Sequence, residues 1–215
     1  MRETIDALRF NTNRQELMIK KLCYHEPEDW EEEIPIGQGS FGKVFLKRYG
    51  GDVVAVKVPY DKFQDRGDDQ VKRVCREKMS NAHITMEAIV HCVLQDHPSF
   101  PKLFGVVMNG QGSPSLAVEF VGDLMTGTSF PLCQALKFYS HSVSEDGWFD
   151  IILDIVRGMK ALRDKGLLHN DLKANNILLK WDDEAKRWRG VIIDMSKVST
   201  AIVPIKHRAM TKDEL

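Results

Sequence analysis

The feature that most restricts the fold of this chain is a glycine-rich turn placed directly before a β-strand pattern. Residues 37–42 read GQGSFG, and residues 44–46 and 53–58 carry the valine-rich patterns of two strands. The sequence Gly-Gly-Asp at 50–52 predicts a tight turn between these strands. The segment therefore predicts an antiparallel hairpin that begins with a glycine loop.

This glycine loop has three interpretations. An ordinary turn is the simplest. A dinucleotide-binding fold is the second, but it needs a helix directly after the glycines and an acidic residue about 20 positions on. Here a strand follows, and position 57 is a lysine. In the third, backbone N–H groups approach phosphate oxygens, because Gly37, Gly39 and Gly42 carry no Cβ. The pattern favours the third interpretation, with Lys57 placed to meet the same phosphates.

Lys57 lies within the apolar segment VVAVKV, where a buried ammonium group needs a negatively charged partner. Glu87 follows in a helix predicted over residues 79–95 from the apolar residues around it. Taken separately, Lys57 could face solvent on an edge strand and Glu87 could lie on a helix surface. A Lys57–Glu87 ion pair would explain both positions.

The next segments predict more strands, followed by a helix. Residues 97–108 and 115–122 read as strands separated by a polar turn. Residues 147–165 form the clearest helical pattern, and Gly166 is typical of a helix end. Its apolar residues recur at three- and four-residue steps: Phe149, Ile152, Ile155, Met159 and Leu162. Strands first and helices later predict an α+β fold, with a sheet-rich front and a helical back.

A polar loop interrupts two apolar segments at residues 167–179, which read LLHNDLKANNILL. Apolar flanks can hold such a loop and fix its polar side chains at a reaction centre. Asp171 and Asn176 are the candidate reactive residues, although a polar turn between core segments would use the same residue types. A strand pair is predicted after the loop, at 177–179 and 191–193, with Asp194 directly behind it.

The segments GQGSFGKV, AVK, the helix glutamate, VEFV, HNDLKANN and IIDMS follow one another over residues 34–196. In type, order and spacing they resemble a eukaryotic-type protein kinase domain that is C-terminally truncated. Lys173, two residues after Asp171, is similar to the serine/threonine-directed branch. The resemblance implies a two-lobe kinase fold, in which a complete sheet-rich small lobe precedes a partial helical large lobe.

The resemblance also implies domain limits. The small lobe would cover residues 31–121 and the partial large lobe residues 122–215, behind an N-terminal helical extension at 1–30. The activation segment and the later helices of the family would be missing, because 19 residues follow Ser196. A fragmentary gene product and a naturally short kinase-like protein both account for this, and we expect the first.

The resemblance assigns roles to individual residues and implies ATP and Mg²⁺ as cofactors. Asp171 would accept or orient the substrate hydroxyl proton, and Lys173 would stabilise the transferring phosphoryl group. Asn176 and Asp194 would hold Mg²⁺ through oxygen ligands. The nucleotide would contact the glycine loop, the Lys57–Glu87 pair, backbone groups of the VEFV segment and several apolar side chains. These residues are Ile36, Gly37, Gly39, Gly42, Val44, Ala55, Lys57, Glu87, Glu119, Val121 and Leu178. Val118 would guard the deeper pocket.

Three positions depart from the family pattern. Asn170 replaces the arginine before the catalytic aspartate, which suggests no control by activation-loop phosphorylation. Met195 replaces phenylalanine and can fill the same apolar slot. Ser196 replaces glycine and loses its backbone freedom, so the loop is expected to flip less easily.

We therefore expect an ATP-dependent protein kinase domain that transfers the γ-phosphoryl group to a protein hydroxyl, of serine or threonine. A catalytically silent kinase-like protein that binds nucleotide or a partner kinase is the alternative, since the large-lobe helices that carry substrate would be missing. A small-molecule kinase is a third, because an asparagine after the histidine also occurs there. A partner would cover the apolar face of the 147–165 helix, or the face would remain partly exposed.

Composition excludes other classes. The 30 lysines and arginines balance 31 aspartates and glutamates, which argues against nucleic acid as a partner. No apolar run approaches the roughly 20 residues that span a membrane. The four cysteines are scattered and are expected as reduced thiols. The terminal KDEL is read as coincidental, because the first 15 residues lack the apolar core of a signal peptide, and we expect a cytoplasmic protein.

Overall fold

The structure is a computed structural model that describes residues 23–25, 34–39, 42–49, 51–59, 70–94, 97–108 and 113–200. The predicted N-terminal helical extension lies outside the described residues except near its end. There Cys23–His25 forms a strand, β1, rather than a helix. Its neighbour in the sheet explains the difference, because β1 gains backbone hydrogen bonds from β5, residues Leu103–Met108.

Six strands form one sheet, in the order β1-β5-β6-β4-β3-β2. The further strands are β2 (Ile34–Gln38), β3 (Gly42–Tyr49), β4 (Asp52–Pro59) and β6 (Pro114–Glu119). Among the described strands of this sheet, β1 and β5 are parallel and the other neighbours are antiparallel. Gly51, at a φ of 94°, makes the turn between β3 and β4, a backbone conformation that favours glycine. The predicted glycine-led hairpin is confirmed.

One long helix, α1 (Gln70–Leu94), covers a face of this sheet. It begins at Gln70, well before the predicted start near residue 79. Ile84 and Ala88 of α1 pack against Leu103, Val106 and Leu116 of the sheet. This packing fixes the rotation of α1 and turns Glu87 towards β4.

The second half of the described chain combines two helices with short strands. They are β7 (Phe130–Pro131), α2 (Leu132–Phe138), α3 (Glu145–Asp164), β8 (Leu167–Leu168), β9 (Ile177–Asp182), β10 (Arg187–Ile192) and β11 (Ser199–Thr200). Strands β10, β9 and β7 form one sheet in that order, and β11 pairs with β8. The predicted strand pair after the polar loop is confirmed by the β9–β10 register, in which Trp181 faces Trp188. The α+β class is confirmed, while the domain limits remain predictions.

Helix α3 begins at Glu145, two residues before its predicted start, and ends at Asp164, one residue before its predicted end. The Ser144 side chain accepts a hydrogen bond of 3.1 Å from the Gly147 N–H, and two acidic residues occupy the first turn. At the other end Gly166 takes a φ of 72°, the left-handed conformation that closes many helices.

The buried face of α3 differs from the prediction. Ile155, Met159 and Leu162 do pack inside, but Phe149 and Ile152 are exposed. The residues that complete the buried face are Ile151, Asp154 and Gly158. A Cβ on Gly158 would lie 2.7 Å from Ile192 Cδ1, and one on Gly190 would lie 2.9 Å from the Ile151 carbonyl oxygen. The close approach of α3 to β10 at these glycines determines which face of α3 is buried. The spacing of apolar residues along the sequence does not reveal this approach.

A buried ion pair also joins α3 to β10. Asp154 accepts two hydrogen bonds from the Arg187 guanidinium, at 2.8 and 3.1 Å, and its backbone oxygen accepts from the Ser99 hydroxyl at 2.6 Å. The buried polar position is thus satisfied.

An apolar face of α3 remains uncovered by the described residues. Phe149, Ile152, Leu153 and Val156 are all exposed, as the sequence led us to expect for part of this helix. None of the described helices has the length and apolar composition needed to cross a membrane. Cys92 and Cys133 are free thiols, while the side chains of Cys23 and Cys75 are outside the described set.

Candidate active site

A lysine held between two carboxylates forms the centre of the site. The Lys57 ammonium donates to Glu87 Oε2 at 2.7 Å and to Asp194 Oδ1 at 2.8 Å. Lys57 comes from β4, Glu87 from α1, and Asp194 follows β10. The predicted Lys57–Glu87 pair is confirmed, and Asp194 joins it as a third member that the sequence did not place there.

Lys57 attracts both carboxylates, and this attraction opposes the cost of burying the charges. Burial disfavours the Lys57 ammonium, but the attraction of Glu87 and Asp194 outweighs it and raises the pKa of Lys57. Burial also works against the Asp194 carboxylate, yet Lys57 and the Ser196 hydroxyl hold the pKa of Asp194 below its usual value. For Glu87, burial is the largest effect and raises its pKa, with Lys57 acting in the opposite direction. The lysine is therefore a fixed positive charge in this cleft.

The segment after β10 is fastened to this group. Asp194 adopts a left-handed backbone at φ 62°, which aspartate tolerates better than most residues. The Met195 N–H donates to Glu87 Oε1 at 3.1 Å, and the Ser196 hydroxyl donates to Asp194 Oδ1 at 2.7 Å. Met195 is buried in the core beside Leu94 and Ile192. Its predicted role as an apolar filler is confirmed, and Ser196 adds a hydrogen bond that glycine could not make.

A second group of polar side chains lies in the loop before β9. The Asp171 Oδ2 oxygen accepts from Lys173 Nζ at 3.0 Å and from Asn176 Nδ2 at 3.3 Å. It also lies 3.1 Å from Lys197 Nζ. Hydrogen bonds from Lys173 and Lys197 lower the pKa of Asp171 to about 2. The structure thus brings together Asp171, Lys173 and Asn176 as predicted, and adds Lys197, which sequence reasoning missed.

His169 connects the two groups. Its side chain is buried, its Nδ1 accepts from the Asp171 N–H at 3.3 Å, and its Nε2 lies 3.3 Å from the Ile193 carbonyl oxygen. Nε2 therefore carries the proton, and burial lowers the pKa of the ring. The Ile193 N–H also donates to the Asn176 carbonyl oxygen at 2.9 Å. The polar loop is thereby tied to the residue directly before Asp194.

Asn170 makes a second connection that the sequence did not reveal. Its side-chain amide donates to the Lys197 carbonyl oxygen at 2.9 Å and to the Ser199 hydroxyl at 2.7 Å. Its backbone takes a φ of 61°, which asparagine tolerates. Asn170 therefore holds the segment after Asp194 directly, at the position where the kinase pattern has an arginine.

The three glycines of the loop differ in their surroundings. A Cβ on Gly42 would lie 2.2 Å from the Val58 carbonyl oxygen, so the hairpin itself requires glycine there. A Cβ on Gly37 or Gly39 would meet no described atom within 4 Å. The predicted loop residues Ser40 and Phe41 lie outside the described residues. The open space beside Gly37 and Gly39 is available to a ligand that approaches the backbone.

Apolar residues lie on the sheet face that carries Lys57 and on β9. Val44 faces Lys57 across β3 and β4, and Ala55 faces Val118 across β4 and β6, so all four share one face of the sheet. Ile36 is half-buried at an irregularity of β2. Leu178 packs with Val121, Val191 and Ile193.

Glu119 and Val121 lie at the end of β6. The Glu119 side chain pairs with Lys180 and accepts from the Lys102 N–H at 3.1 Å, and its own N–H donates to the Lys102 carbonyl oxygen at 2.8 Å. The Val121 carbonyl oxygen accepts from the Ser129 hydroxyl at 2.9 Å. The adenine contacts expected for the Glu119 carbonyl and the Val121 N–H remain predictions.

The donor set suits a magnesium–phosphate complex better than a protein-only metal site. Among the described residues, no group of three or more His, Cys, Asp or Glu side chains could hold a metal ion. Asp194 and Asn176 instead offer one carboxylate and one amide oxygen, and Asn176 uses its amide nitrogen to contact Asp171. Mg²⁺ commonly takes one or two protein oxygens and completes its shell with phosphates and water.

Comparison with known proteins agrees with this geometry. The family described as "Protein kinase domain" matches residues 30–195. The chain is 28% identical to the rat serine/threonine-protein kinase 16 over 137 residues, covering 63% of this chain and 43% of that protein. It is 32% identical to the Dictyostelium discoideum probable serine/threonine-protein kinase kinX over 171 residues, covering 78% and 13%.

A third relative is the Drosophila melanogaster membrane-associated tyrosine- and threonine-specific cdc2-inhibitory kinase. It is 25% identical over 197 residues, which cover 86% of this chain and 31% of that protein. This chain therefore spans less than half the length of these relatives. The family match covers most of the chain, and its limits enclose Lys57, Glu87, Asp171, Lys173, Asn176 and Asp194. The chain belongs to the protein kinase family.

Proposed function

We propose that this chain is an ATP-dependent protein kinase domain that transfers the γ-phosphoryl group to a serine or threonine hydroxyl. The observation that carries the proposal is the arrangement of two adjacent polar groups. In one, Lys57 is held by Glu87 and Asp194, and in the other, Lys173 and Asn176 meet on Asp171. Phosphoryl transfer needs little else from a protein than positioning and charge stabilisation.

The triphosphate would lie between the glycine loop and Lys57. Space beside Gly37 and Gly39 lets phosphate oxygens approach backbone N–H groups. Lys57 points into the same cleft from the neighbouring strand, and its attachment to Glu87 keeps it there. Of the three loop glycines, only Gly42 is required by the hairpin itself. The open space at Gly37 and Gly39 therefore supports a role in binding a ligand.

The adenine ring would insert between the apolar residues of the cleft. Val44 and Ala55 lie on the sheet face above, with Ile36 at its edge, and Leu178 lies below beside Val121. The Glu119 carbonyl would accept from the exocyclic amine, and the Val121 N–H would donate to a ring nitrogen. Such a pocket combines apolar walls with a few fixed polar groups, as nucleotide sites do.

Asn176 and Asp194 would hold Mg²⁺, which supplies charge neutralisation for the phosphate oxygens when it is bound. Asp171 then acts on the acceptor. Three donors contact its Oδ2, so Oδ1 is the oxygen that would receive the hydroxyl hydrogen bond. Because its pKa is lowered to about 2, Asp171 is ionised at neutral pH and orients the hydroxyl.

In the transfer step, a bond forms between the acceptor oxygen and the γ-phosphorus while the bond from that phosphorus to the β–γ bridging oxygen breaks. The electron pair of the broken bond remains on the oxygen of ADP, and the hydroxyl proton passes to Asp171. Lys173 neutralises negative charge on the phosphoryl group during this step. The serine or threonine preference rests on Lys173 and on relatives that are named serine/threonine kinases.

A second candidate function is a silent kinase-like protein that binds nucleotide or a partner kinase. The exposed apolar residues Phe149, Ile152, Leu153 and Val156 favour it, because this helix face is open to a partner. The two functions share the nucleotide site and differ in turnover.

Phosphate transfer to casein from radiolabelled Mg·ATP tests the proposal. Asp171→Asn should lower kcat by about 10²- to 10⁴-fold, the usual effect of losing a positioned proton acceptor. Asp183→Asn is the matched control, because Asp183 is highly exposed on the β9–β10 turn and should leave kcat unchanged. Equal activity of the wild type and Asp171→Asn would contradict the role of Asp171. Nucleotide binding without turnover in the wild type would establish the silent function.

A further inference from the structure

Lys197 occupies an unusual position beside the proposed catalytic aspartate. Its Nζ lies 3.1 Å from Asp171 Oδ2, and Lys173 Nζ lies 3.0 Å from the same oxygen. Two ammonium groups therefore converge on one carboxylate oxygen. The mechanism above assigns a role to Lys173 and none to Lys197.

The backbone of Lys197 is held in place from several sides. Its carbonyl oxygen accepts from the Asn170 side chain at 2.9 Å. The next two residues are also fixed, since the Val198 N–H donates to the Met195 carbonyl at 3.1 Å and Ser199 pairs with Leu168. From this fixed backbone the Lys197 side chain reaches the Asp171 carboxylate.

The charges of the two polar groups are complementary to a magnesium–triphosphate complex. One ammonium faces two carboxylates at Lys57, which leaves an excess of negative charge suited to a metal ion. Two ammonium groups face one carboxylate at Asp171, which leaves an excess of positive charge. This excess lies beside the residue that would orient the acceptor, where negative charge develops on the phosphoryl group.

Both lysines remain accessible to a ligand. The Lys197 side chain is 42% exposed and the Lys173 side chain 51% exposed. Neither is committed to a buried partner, so each can exchange its contact with Asp171 for a phosphate oxygen. We propose that Lys197 is a second phosphoryl-contacting cation, which acts with Lys173 on the transferring γ-phosphoryl group.

This inference rests on the proposed kinase function. Lys197 forms and breaks no covalent bond in the step. It donates hydrogen bonds to non-bridging oxygens while the acceptor oxygen displaces ADP and its proton goes to Asp171. Because the contact strengthens as negative charge develops, removal of Lys197 should lower kcat more than it raises KM.

Steady-state kinetics of the 215-residue chain test the inference first. Lys197→Met should lower kcat by about 10- to 100-fold and leave the KM for ATP and the KM for the protein substrate nearly unchanged. This loss is smaller than the loss expected on removing a fully buried donor, because the site is partly exposed. Lys197→Arg keeps the charge and should retain most of the activity. Lys160→Met is the matched control, since Lys160 lies on the exposed face of α3 and pairs with Asp164. An unchanged or increased kcat in Lys197→Met would overturn the proposal, and an increase would identify Lys197 as a brake on Asp171.

Binding of Mg·ADP with aluminium fluoride gives a second readout that needs no turnover. This complex occupies the place of the transferring phosphoryl group. Lys197→Met should weaken binding of the fluoride complex about 10-fold or more and leave the affinity for Mg·ADP without fluoride unchanged. The same difference is expected when Asp171→Asn is also present. Equal binding of the fluoride complex would overturn the role of Lys197. Absent turnover in the wild type would count against the proposed kinase activity, while this comparison would still decide the role of Lys197.

Discussion

His91 is a buried histidine in α1. Its Nδ1 has no hydrogen-bond partner in the described part of the protein, and a hydrogen bond joins the ring to the backbone of Pro101. The ring is therefore neutral, with the proton on Nε2. Burial lowers the pKa of His91 to about 4, with the Lys57 ammonium acting in the same direction and the Pro101 contact against it.

The pKa of His91 predicts a pH dependence of stability. The unfolded histidine takes up a proton near pH 6.5, whereas the folded one does so only near pH 4. This contribution to stability is complete above pH 6.5 and is lost progressively as the pH falls towards 4. The loss is at most about 3 kcal/mol, from the difference in pKa. Urea denaturation at several pH values between 4 and 8 measures it.

A variant that lacks only His91 separates this contribution from that of the carboxylates. In His91→Gln, which keeps a donor for the Pro101 backbone, the free energy of unfolding should fall less steeply between pH 6.5 and 4 than in the wild type. His141→Gln serves as the control, since His141 is exposed. Parallel curves for wild type and His91→Gln would show that His91 does not titrate differently in the two states.

Individual charges were predictable from the sequence where burial forced a single solution. Lys57 in an apolar strand required an acid, and Glu87 in an apolar helix required a base, so each identified the other. Lys197 gave no such signal, because an accessible lysine after a turn is ordinary. Its closeness to Asp171 depends on the path of the chain between β10 and β11, which spacing along the sequence does not specify. The one available hint was a lysine three residues after Asp194.

In the glycine loop between β2 and β3, neighbouring positions are expected to need glycine for different reasons. We expect Gly39→Ala to leave the free energy of unfolding within about 0.5 kcal/mol of the wild type, because the new methyl group meets no described atom. If phosphates approach this backbone, the same change should weaken Mg·ATP binding. Thermal denaturation and a nucleotide titration measure the two effects.

Gly42→Ala is the counterpart of this experiment, since its methyl group would lie 2.2 Å from a backbone oxygen. It should destabilise the fold by about 1–3 kcal/mol, the typical result of forcing extra volume into a packed site. A Gly39→Ala variant with normal nucleotide affinity would argue against phosphates at this loop.

The elements also show where sequence patterns lose information. Ser144, which caps the start of α3, was not recognised in the sequence. The end of α3 was predictable, because Gly166 has a local reason for its position. Its buried face was not, because a glycine and an aspartate occupy central buried positions and carry no apolar signal. Gly158 allows close contact with Ile192, and Asp154 is buried because Arg187 neutralises it. Both reasons lie on β10, far along the chain.

The candidate site depends on contacts between distant parts of the chain. Glu87 uses one carboxylate oxygen for Lys57 and the other for the Met195 N–H, so α1, β4 and the segment after β10 meet at one side chain. Met195 also packs into the core that α1 shares with α3. The order of the motifs predicted which residues take part, while their arrangement required the packing of both helices.

The exposed face of α3 gives the last prediction. Ile151 and Ile152 are neighbours in sequence, yet Ile151 is 1% exposed and Ile152 is 54% exposed. Ile151→Ser should destabilise the protein by several kcal/mol, since it removes buried apolar volume and introduces a hydroxyl into the core. Ile152→Ser makes the identical chemical change on the open face, and should alter the free energy of unfolding by no more than about 0.5 kcal/mol. Urea denaturation at two protein concentrations measures both variants. A large, concentration-dependent loss in Ile152→Ser would mean that another copy of the chain covers this face in solution. A loss independent of concentration would mean that the chain itself covers it.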